Sequence, residues 1–316
     1  MKQRIITGII MAVILLPLVL VPSETMEKVF EFVVMLFAVI AMLELLAMFS
    51  KEKRIGIPMR IISIILMLFL YLSVTYMASV NLGIPSIVTK GIEHIHLSTA
   101  FQPVTVLLFM LVVLMSGLVF VPGYSVADLG KLYIAIIYVA LCAGSLSVLR
   151  LLGIRFIVYL FTITVATDIF ALVFGMLFGK HKMAPEISPK KTWEGAIGGT
   201  AVATILGSCL AIFYPFVSKL MGFGDTTFFN GVFDASKLGN VGLVFFIIVL
   251  TICLSICSQI GDLIASKLKR NFGIKDYSNL FPGHGGVLDR FDSAFFASAI
   301  FLLFIFVISH LLPVVA

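Results

Sequence analysis

The sequence predicts an all-α, polytopic integral membrane protein with about nine transmembrane helices and a cytoplasmic N-terminus. The composition is the first observation that predicts this class. Of 316 residues, 61% are hydrophobic and 12% are charged, and the mean hydropathy is +1.17. Soluble domains carry about 25% charged residues. A soluble protein is therefore excluded, and with it a domain that could bind nucleic acid.

The lengths of the apolar runs are the second observation. A helix needs about 20 residues to cross a hydrocarbon core of roughly 30 Å, and it must pair its backbone polar groups internally. Nine runs meet this requirement, at approximately 5 to 21, 29 to 49, 57 to 79, 101 to 121, 131 to 149, 154 to 178, 194 to 218, 241 to 264 and 291 to 312. Each run predicts one membrane-spanning helix.

The distribution of basic residues is the third observation, because cytoplasmic loops carry an excess of Lys and Arg. With nine spans and the N-terminus inside, six of the 22 basic residues face outward: Lys28, Lys90, Arg150, Arg155, Lys219 and Lys237. The other 16 face inward, including every basic residue of the segment 266–292. We therefore predict that the C-terminus lies outside and that this segment is cytoplasmic.

Polar residues divide the chain into N-terminal transmembrane helices (1–121) and a catalytic transmembrane region (122–316) whose site faces the cytoplasm. The first part carries Glu31 and Glu44 within a span, and intramembrane carboxylates are candidates for function. The simpler explanations are that Glu31 is solvated near the outer interface and that Glu44 snorkels or pairs with a basic residue of the inner loop. His94 and His96 in the loop 81–99 could bind a metal, although two exposed His residues without carboxylate or Cys partners seldom do, and the loop 222–240 predicts no chemistry.

The sixth span has one small, acidic face. Its members follow helical spacing and are Thr164, Asp168, Ala171, Gly175 and Gly179. The two glycines predict close packing against another helix. Asp168 is expected to face the helix bundle or a wet cavity, where it either binds substrate or hydrogen-bonds a neighbouring helix.

A cationic loop leads from the sixth span into the seventh. Its basic rim comprises Lys180, His181, Lys182, Lys190 and Lys191, and Pro185 and Pro189 keep it extended. Such a rim suits an anionic substrate, for which Lys190 and Lys191 are the candidates. Trp193 at the membrane boundary is either an interfacial anchor or a substrate contact.

The eighth span carries a polar stripe of Ser255, Gln259, Asp262 and Ser266, which Lys269 continues toward the cytoplasm. Because an Asp exposed to lipid is costly, we expect the stripe to line a polar cavity. Asp289 and Asp292 begin the ninth helix at a spacing that lets both carboxylates point the same way.

This region has the side chains that phosphate and metal chemistry needs. Mg²⁺ prefers carboxylate oxygens, and Asp262, Asp289 and Asp292 can supply them. The cations that can hold phosphate oxygens are Lys267, Lys269, Arg270, Lys275 and Arg290. The run 282–286 contains Gly283, Gly285 and Gly286, whose backbone amides can turn toward an anion, and His284, which can donate to a phosphate.

The segment 266–292 also resembles a family motif. It reads Ser-x-x-Lys-Arg at 266–270, Lys-Asp at 275–276, Pro-Gly-His-Gly-Gly at 282–286 and Asp-Arg-x-Asp at 289–292. This run resembles the C-terminal motif of phosphatidate cytidylyltransferases, also called CDP-diacylglycerol synthases, without a departure. SPKKTWEG at 188–195 and QIGD at 259–262 are similar to patterns of the same family. The resemblance covers roughly residues 164 to 295.

The resemblance implies an enzyme of phospholipid biosynthesis in a bacterial-type inner membrane, with its active site on the cytoplasmic side. CTP and phosphatidic acid would yield CDP-diacylglycerol and pyrophosphate, with Mg²⁺ and room for a second cation. Asp262, Asp289 and Asp292 would hold metal, and Lys269, Arg270, Lys275, His284 and Arg290 would act on phosphate oxygens. Substrate binding is expected of Asp168, Lys190, Lys191, Ser266, Lys267, Gly283, Gly285 and Gly286. The small-residue helix faces are compatible with a homodimer.

Two other functions fit parts of the sequence. One is a CTP-dependent enzyme that acts on another membrane lipid, such as an isoprenoid or ether lipid. The other is an ion-coupled transporter with Asp168 and Asp262 on an intramembrane path. Transport gives no reason for the dense Gly, His, Asp and Arg content of the segment 266–292.

Overall fold

The structure is a computed structural model that describes residues 2–84, 86, 92, 101–220 and 226–313. The described residues are mainly helical and include one small antiparallel sheet. The long helices are α1 (Lys2–Leu20), α2 (Glu24–Phe49), α3 (Ile57–Leu82), α4 (Pro103–Phe120), α5 (Val126–Leu152), α6 (Ile154–Phe178), α7 (Trp193–Ile212), α9 (Gly239–Asn271) and α10 (Leu288–Leu311). The shorter elements are β1 (Lys182–Ala184), β2 (Ser188–Thr192), α8 (Tyr214–Leu220) and a 3₁₀ turn (Ala235–Leu238).

Eight of the described helices are long and apolar enough to cross a membrane, namely α2 to α7, α9 and α10. They coincide with the second to ninth predicted spans, so the all-α polytopic class is confirmed. The first predicted span falls on α1, which is not among the eight, and the number nine and the cytoplasmic N-terminus stay predictions. His94 and His96 lie outside the described residues.

Local sequence signals set the helix boundaries. Ser125 and Asp128 form a capping box at the start of α5, in which each side chain accepts the backbone N–H of the other residue. Gly153 separates α5 from α6 with a φ of 136°, a conformation that other residues rarely adopt. A single glycine therefore keeps two apolar runs from fusing into one helix.

The first compact unit consists of residues 1–154 and 268–291. In it, α5 packs against α2 and α3, and its last turn carries the fully buried Arg150. The Arg150 guanidinium pairs with Glu27 at 3.2 Å and donates to the carbonyl oxygens of Leu18 and Val21. One buried cation therefore fixes the turn between α1 and α2.

The second compact unit consists of residues 155–267 and 292–316. Its helices α6 and α7 approach each other closely, as two glycines show. A Cβ added at Gly195 would lie 2.5 Å from the carbonyl oxygen of Ala171, and a Cβ added at Gly175 would lie 3.8 Å from the Cα of Gly195. The predicted packing of the small α6 face is confirmed. The predicted division of the chain at residue 121 stays a prediction.

Candidate active site

The loop between α6 and α7 folds as a β-hairpin, with Lys182 opposite Thr192 and Pro189 inside β2. Lys190 is exposed, whereas Lys191 is half-buried. Of these two candidates, only Lys191 contacts another predicted site residue.

That contact joins Lys191 to Asp262 of α9. The ammonium nitrogen lies 2.6 Å from Oδ2 of Asp262, and the side chain of Asp262 keeps 30% of its surface exposed. Ser266, one helical turn later, donates its hydroxyl to Oδ1 of the same carboxylate at 3.2 Å. Asp262 is thus an accessible carboxylate that already holds one positive charge.

The deeper half of the polar stripe is packed between helices. Ser255 is fully buried and shares hydrogen bonds with Thr167 of α6 and Thr200 of α7. Gln259 donates to Thr200 at 2.8 Å. The expectation that the whole stripe lines a cavity is wrong for Ser255, because neighbouring hydroxyl groups fill that space.

An apolar groove of about 600 Å³ lies beside this stripe, between α7 and α9. Trp193, Ile197, Ile205, Ile256 and Ile260 line it, and Gln259 and Thr200 belong to its wall. These two polar side chains bond to each other, so the groove presents an apolar surface. Trp193 is 52% exposed.

In the first unit, Asp289 organises the beginning of α10. Its side chain is only 3% exposed, and Oδ1 accepts the ammonium of Lys269 at 2.7 Å. Oδ2 accepts the backbone N–H groups of Tyr277 at 2.8 Å and Gly286 at 2.9 Å. Asp289 therefore fixes both a lysine and the loop that precedes its own helix.

The glycine-rich run forms a tight turn in which Phe281 bridges Gly285. Gly283 and Gly285 have φ values of 76° and 84°, which explains the residue type at both positions. The amide of Gly285 donates to Phe281 and that of Gly286 to Asp289. Binding of an anion by these two amides stays a prediction that requires them to exchange partners.

His284 lies in the same turn with its ring beside Gly8 of α1. Its Nδ1 atom is buried and has no hydrogen-bond partner among the described residues. Donation from His284 to a phosphate stays a prediction.

Glu44, which the sequence interpretation named only as an intramembrane carboxylate, contacts the loop of the candidate site. Its Oε1 accepts the hydroxyl of Ser278 at 2.6 Å and the amide of Val287 at 2.9 Å, and Oε2 accepts the amide of Leu288 at 2.9 Å. The predicted snorkelling or basic partner is wrong, because the carboxylate points into the protein and caps α10. Glu31 is buried as well, at 6% exposure, so its predicted solvation is also wrong.

The other predicted residues are mostly exposed. In the first unit these are Arg270, Lys275 and Arg290, and in the second unit Asp168 and Lys267. Asp292, in the second unit, is 7% exposed and accepts the amide of Ser293 at 2.7 Å. Because Asp262 and Asp292 belong to one unit and Asp289 to the other, a metal ion shared by all three stays a prediction.

Neither unit contains, among its described residues, three or more His, Cys, Asp or Glu side chains grouped to hold a metal ion. A site with fewer protein ligands suits Mg²⁺, which usually completes its shell with water and substrate phosphates. Asp262 is the accessible carboxylate for such a shell.

Comparison with known proteins places these observations in a family. The chain is 32% identical over 297 residues to a phosphatidate cytidylyltransferase of Staphylococcus haemolyticus, covering 94% of this chain and 95% of the relative. It is 31% identical over 302 residues to one of Bacillus subtilis, covering 94% of each. One of Brucella abortus is 42% identical over 170 residues, which is 53% of this chain and 54% of the relative.

A family model described as the cytidylyltransferase family matches residues 2–308. That range includes every candidate site residue and the N-terminal helices that supply Glu44. The chain belongs to the cytidylyltransferase family.

Proposed function

We propose that this protein is a CTP:phosphatidate cytidylyltransferase that acts at the cytoplasmic face of a bacterial-type inner membrane. The observation that carries the proposal is its similarity, along nearly the whole of both chains, to relatives of that name. The accessible Lys191–Asp262 pair and the Lys269–Asp289 pair supply fitting chemistry. The excess of basic residues in the inner segments supports the cytoplasmic side.

The reaction exchanges one phosphoric anhydride for another. A phosphate oxygen of phosphatidic acid attacks the α-phosphorus of CTP and forms the new P–O bond. The bond from that phosphorus to the oxygen bridging to the β-phosphate breaks, and pyrophosphate leaves with the electron pair. The attacking phosphate is already anionic at neutral pH, so the protein needs no strong general base.

The task of the protein is to hold two anions together and to stabilise the negative charge that builds up on the leaving group. Lys269 suits this task because Asp289 holds its ammonium in a site where its side chain is only 11% exposed. A fixed cation need not reorganise during the reaction. Arg270, Lys275 and Arg290 are exposed and can close on phosphate oxygens.

Mg²⁺ fits the carboxylates present. One oxygen of Asp262 and one of Asp289 each accept a lysine ammonium, at 2.6 and 2.7 Å, so both positions suit a positive ion. We propose that Asp262, with Asp292 of the same unit, holds the ion together with substrate oxygens, and a part for Asp289 in the same shell stays a prediction. When bound, Mg²⁺ would neutralise charge on the triphosphate and on the departing pyrophosphate.

The apolar groove between α7 and α9 fits an acyl chain of the lipid substrate. Its lining is apolar, and it leads along α9 from Gln259 toward Asp262, which lies about one helical turn away. A lipid with a chain in the groove would carry its phosphate near the ammonium of Lys191. One compact unit would thus offer an apolar groove to the acyl chain and a lysine to the phosphate of the same lipid.

The test is release of pyrophosphate by the purified protein with phosphatidate, Mg²⁺ and each nucleoside triphosphate in turn. We expect release with CTP and formation of CDP-diacylglycerol. Offering an isoprenoid or ether-lipid phosphate in place of phosphatidate tests the alternative acceptor. Absence of turnover with phosphatidate, together with turnover of another lipid, would overturn the proposed substrate.

A further inference from the structure

Glu44 connects α2, outside the predicted catalytic region, to the loop of the candidate active site, which we define as residues 277–288. We propose that Glu44 is a positioning residue that holds this loop, and through it Asp289 and Lys269, in the geometry required to bind the triphosphate. The inference rests on the proposed function. It extends that function to a carboxylate in α2, within the N-terminal part of the chain.

Two carboxylates divide the hydrogen-bond donors of the loop between them. Asp289 takes the amides of Tyr277 and Gly286, and Glu44 takes the hydroxyl of Ser278. Glu44 also takes the amides of Val287 and Leu288, which directly follow Gly286. Three consecutive amides at the start of α10 therefore donate to two carboxylates, and neither carboxylate can move without releasing part of the loop.

The anchor is rigid because its surroundings are packed. Glu44 is 5% exposed, and its neighbours Leu45 and Leu46 are 1% exposed each. Hydrogen bonds to a charged acceptor are stronger than those between neutral groups, especially where water is excluded. The loop is thus fixed to the core of the first unit and not only to its own flanking helices.

Gly286 is matched to this carboxylate. A Cβ added there would lie 2.2 Å from Oε1 of Glu44 and 2.7 Å from the hydroxyl oxygen of Ser278. No side chain fits unless Glu44 gives up its place. The carboxylate of Glu44 therefore occupies the space that a side chain at position 286 would need. Mutations of Gly286 and of Glu44 should then have effects that are not additive.

A purely structural carboxylate would behave differently from a positioning residue in kinetics. Loss of a structural contact lowers the fraction of folded enzyme, so the maximal rate falls while KM for CTP stays unchanged. Loss of a positioning contact leaves folded enzyme whose loop binds the triphosphate poorly, so KM for CTP rises and kcat falls. The two cases separate in a single set of measurements.

The experiment compares Glu44→Gln and Glu44→Ala with Glu31→Gln in the full-length protein. Glu31 is the matched control, since it is the other buried carboxyl group of α2 and its Oε1 has no hydrogen-bond partner among the described residues. For Glu44→Ala we expect kcat/KM for CTP to fall about 10- to 100-fold, with part of the loss recovered in Glu44→Gln, which keeps one acceptor oxygen. Glu31→Gln should keep the wild-type KM. Unchanged KM for CTP in both Glu44 variants would overturn the inference.

A second measurement does not depend on the reaction. Hydrogen exchange of the peptides that cover 277–288 should accelerate in Glu44→Ala and stay at the wild-type rate in Glu31→Gln. If the wild type proved inactive with phosphatidate, the proposed function would fail, while faster exchange would still establish the anchoring contact. Exchange at the wild-type rate in Glu44→Ala would overturn the anchoring itself.

A double-mutant cycle with Gly286→Ala completes the test. Because both changes remove the same contact, the double variant Glu44→Ala/Gly286→Ala should be no more than about threefold less active than Gly286→Ala alone. Losses that multiply in full would show two independent effects and would contradict the inference.

Discussion

The ammonium of Lys191 lies 2.6 Å from Oδ2 of Asp262, and this contact joins the β-hairpin to helix α9 within one compact unit. Their side chains are 27% and 30% exposed, and ion pairs exposed to this degree contribute roughly 0–1 kcal/mol to stability. Stability alone is therefore a weak reason for this pair. The proposed reaction gives a second reason for the pair. When substrate binds, Lys191 can move from Asp262 to a phosphate, and a metal ion can take its place on Asp262.

Lys191→Met should lower kcat/KM for pyrophosphate release at least about tenfold, because one charge-assisted contact to a phosphate is lost. The fold should be unaffected, since the pair adds little stability. Steady-state kinetics and thermal unfolding in detergent measure the two effects. The control is Lys51→Met, which removes an exposed lysine from a turn after α2 and should leave turnover unchanged. Equal losses in both variants would point to net charge and not to this contact.

Asp289→Asn should reduce pyrophosphate release at least about 100-fold. The neutral amide cannot hold the Lys269 ammonium as a carboxylate does, and it presents an N–H₂ group to donors that need an acceptor. Circular dichroism and size-exclusion chromatography check that the variant stays folded. Asp276→Asn, which neutralises an exposed acid of the same segment, is the control. Wild-type turnover in Asp289→Asn would reject the role given to Asp289.

Ala201→Phe should change the preference for acyl chains. Ala201 lines the apolar groove, so a phenyl ring would occupy space that an acyl chain needs. We expect kcat/KM to fall for phosphatidate with long chains, since the lost contacts of one or a few methylene groups are worth about 1–3 kcal/mol. For a short-chain analogue, which does not reach the ring, kcat/KM should change less than about twofold. Leu172→Phe, on an exposed position of α6, is the control. Equal losses for both chain lengths would place the acyl chain elsewhere.

Gly199→Ala should destabilise the second unit by about 1–3 kcal/mol, because the added Cβ would lie 2.7 Å from the carbonyl oxygen of Thr167 and 2.9 Å from the amide of Ala171. The backbones of α6 and α7 must separate to admit it. Gly242→Ala is the matched change in α9, where the Cβ would meet only Leu238 at 3.5 Å. Thermal unfolding should show a loss for the first variant and none for the second. Equal unfolding temperatures would contradict the close packing.

The sequence predicted the helices well, because the hydrocarbon core imposes a length and an apolar composition on each span. The span predicted at 154 to 178 is α6 to the residue. The span at 241 to 264 ended too early and the span at 291 to 312 began too late, since α9 runs on through the charged residues to Asn271 and α10 begins at Leu288. The predicted spans stop where charged residues begin, whereas the helices continue through those residues.

The site was predictable where its residues are close in sequence or share a helix face. Helical spacing placed Asp262 beside Ser266, and the motif placed Lys269 and Asp289 in one segment. The partners of Glu44 were not predictable, because Ser278, Val287 and Leu288 lie 234 to 244 residues away in sequence. The contact between Lys191 and Asp262 was not predictable either, because the hairpin and α9 are far apart in sequence.

The contacts of Glu44 also bear on biosynthesis. A ribosome completes α2 long before it reaches Ser278, and most of the membrane-spanning helices are made in the interval. The segment 268–291 then has to find its place in a unit whose other members were synthesised first. Nascent chains arrested before Ser278 would contain Glu44 without its partners, so competence for catalysis would arise only after the segment 268–291 has been synthesised.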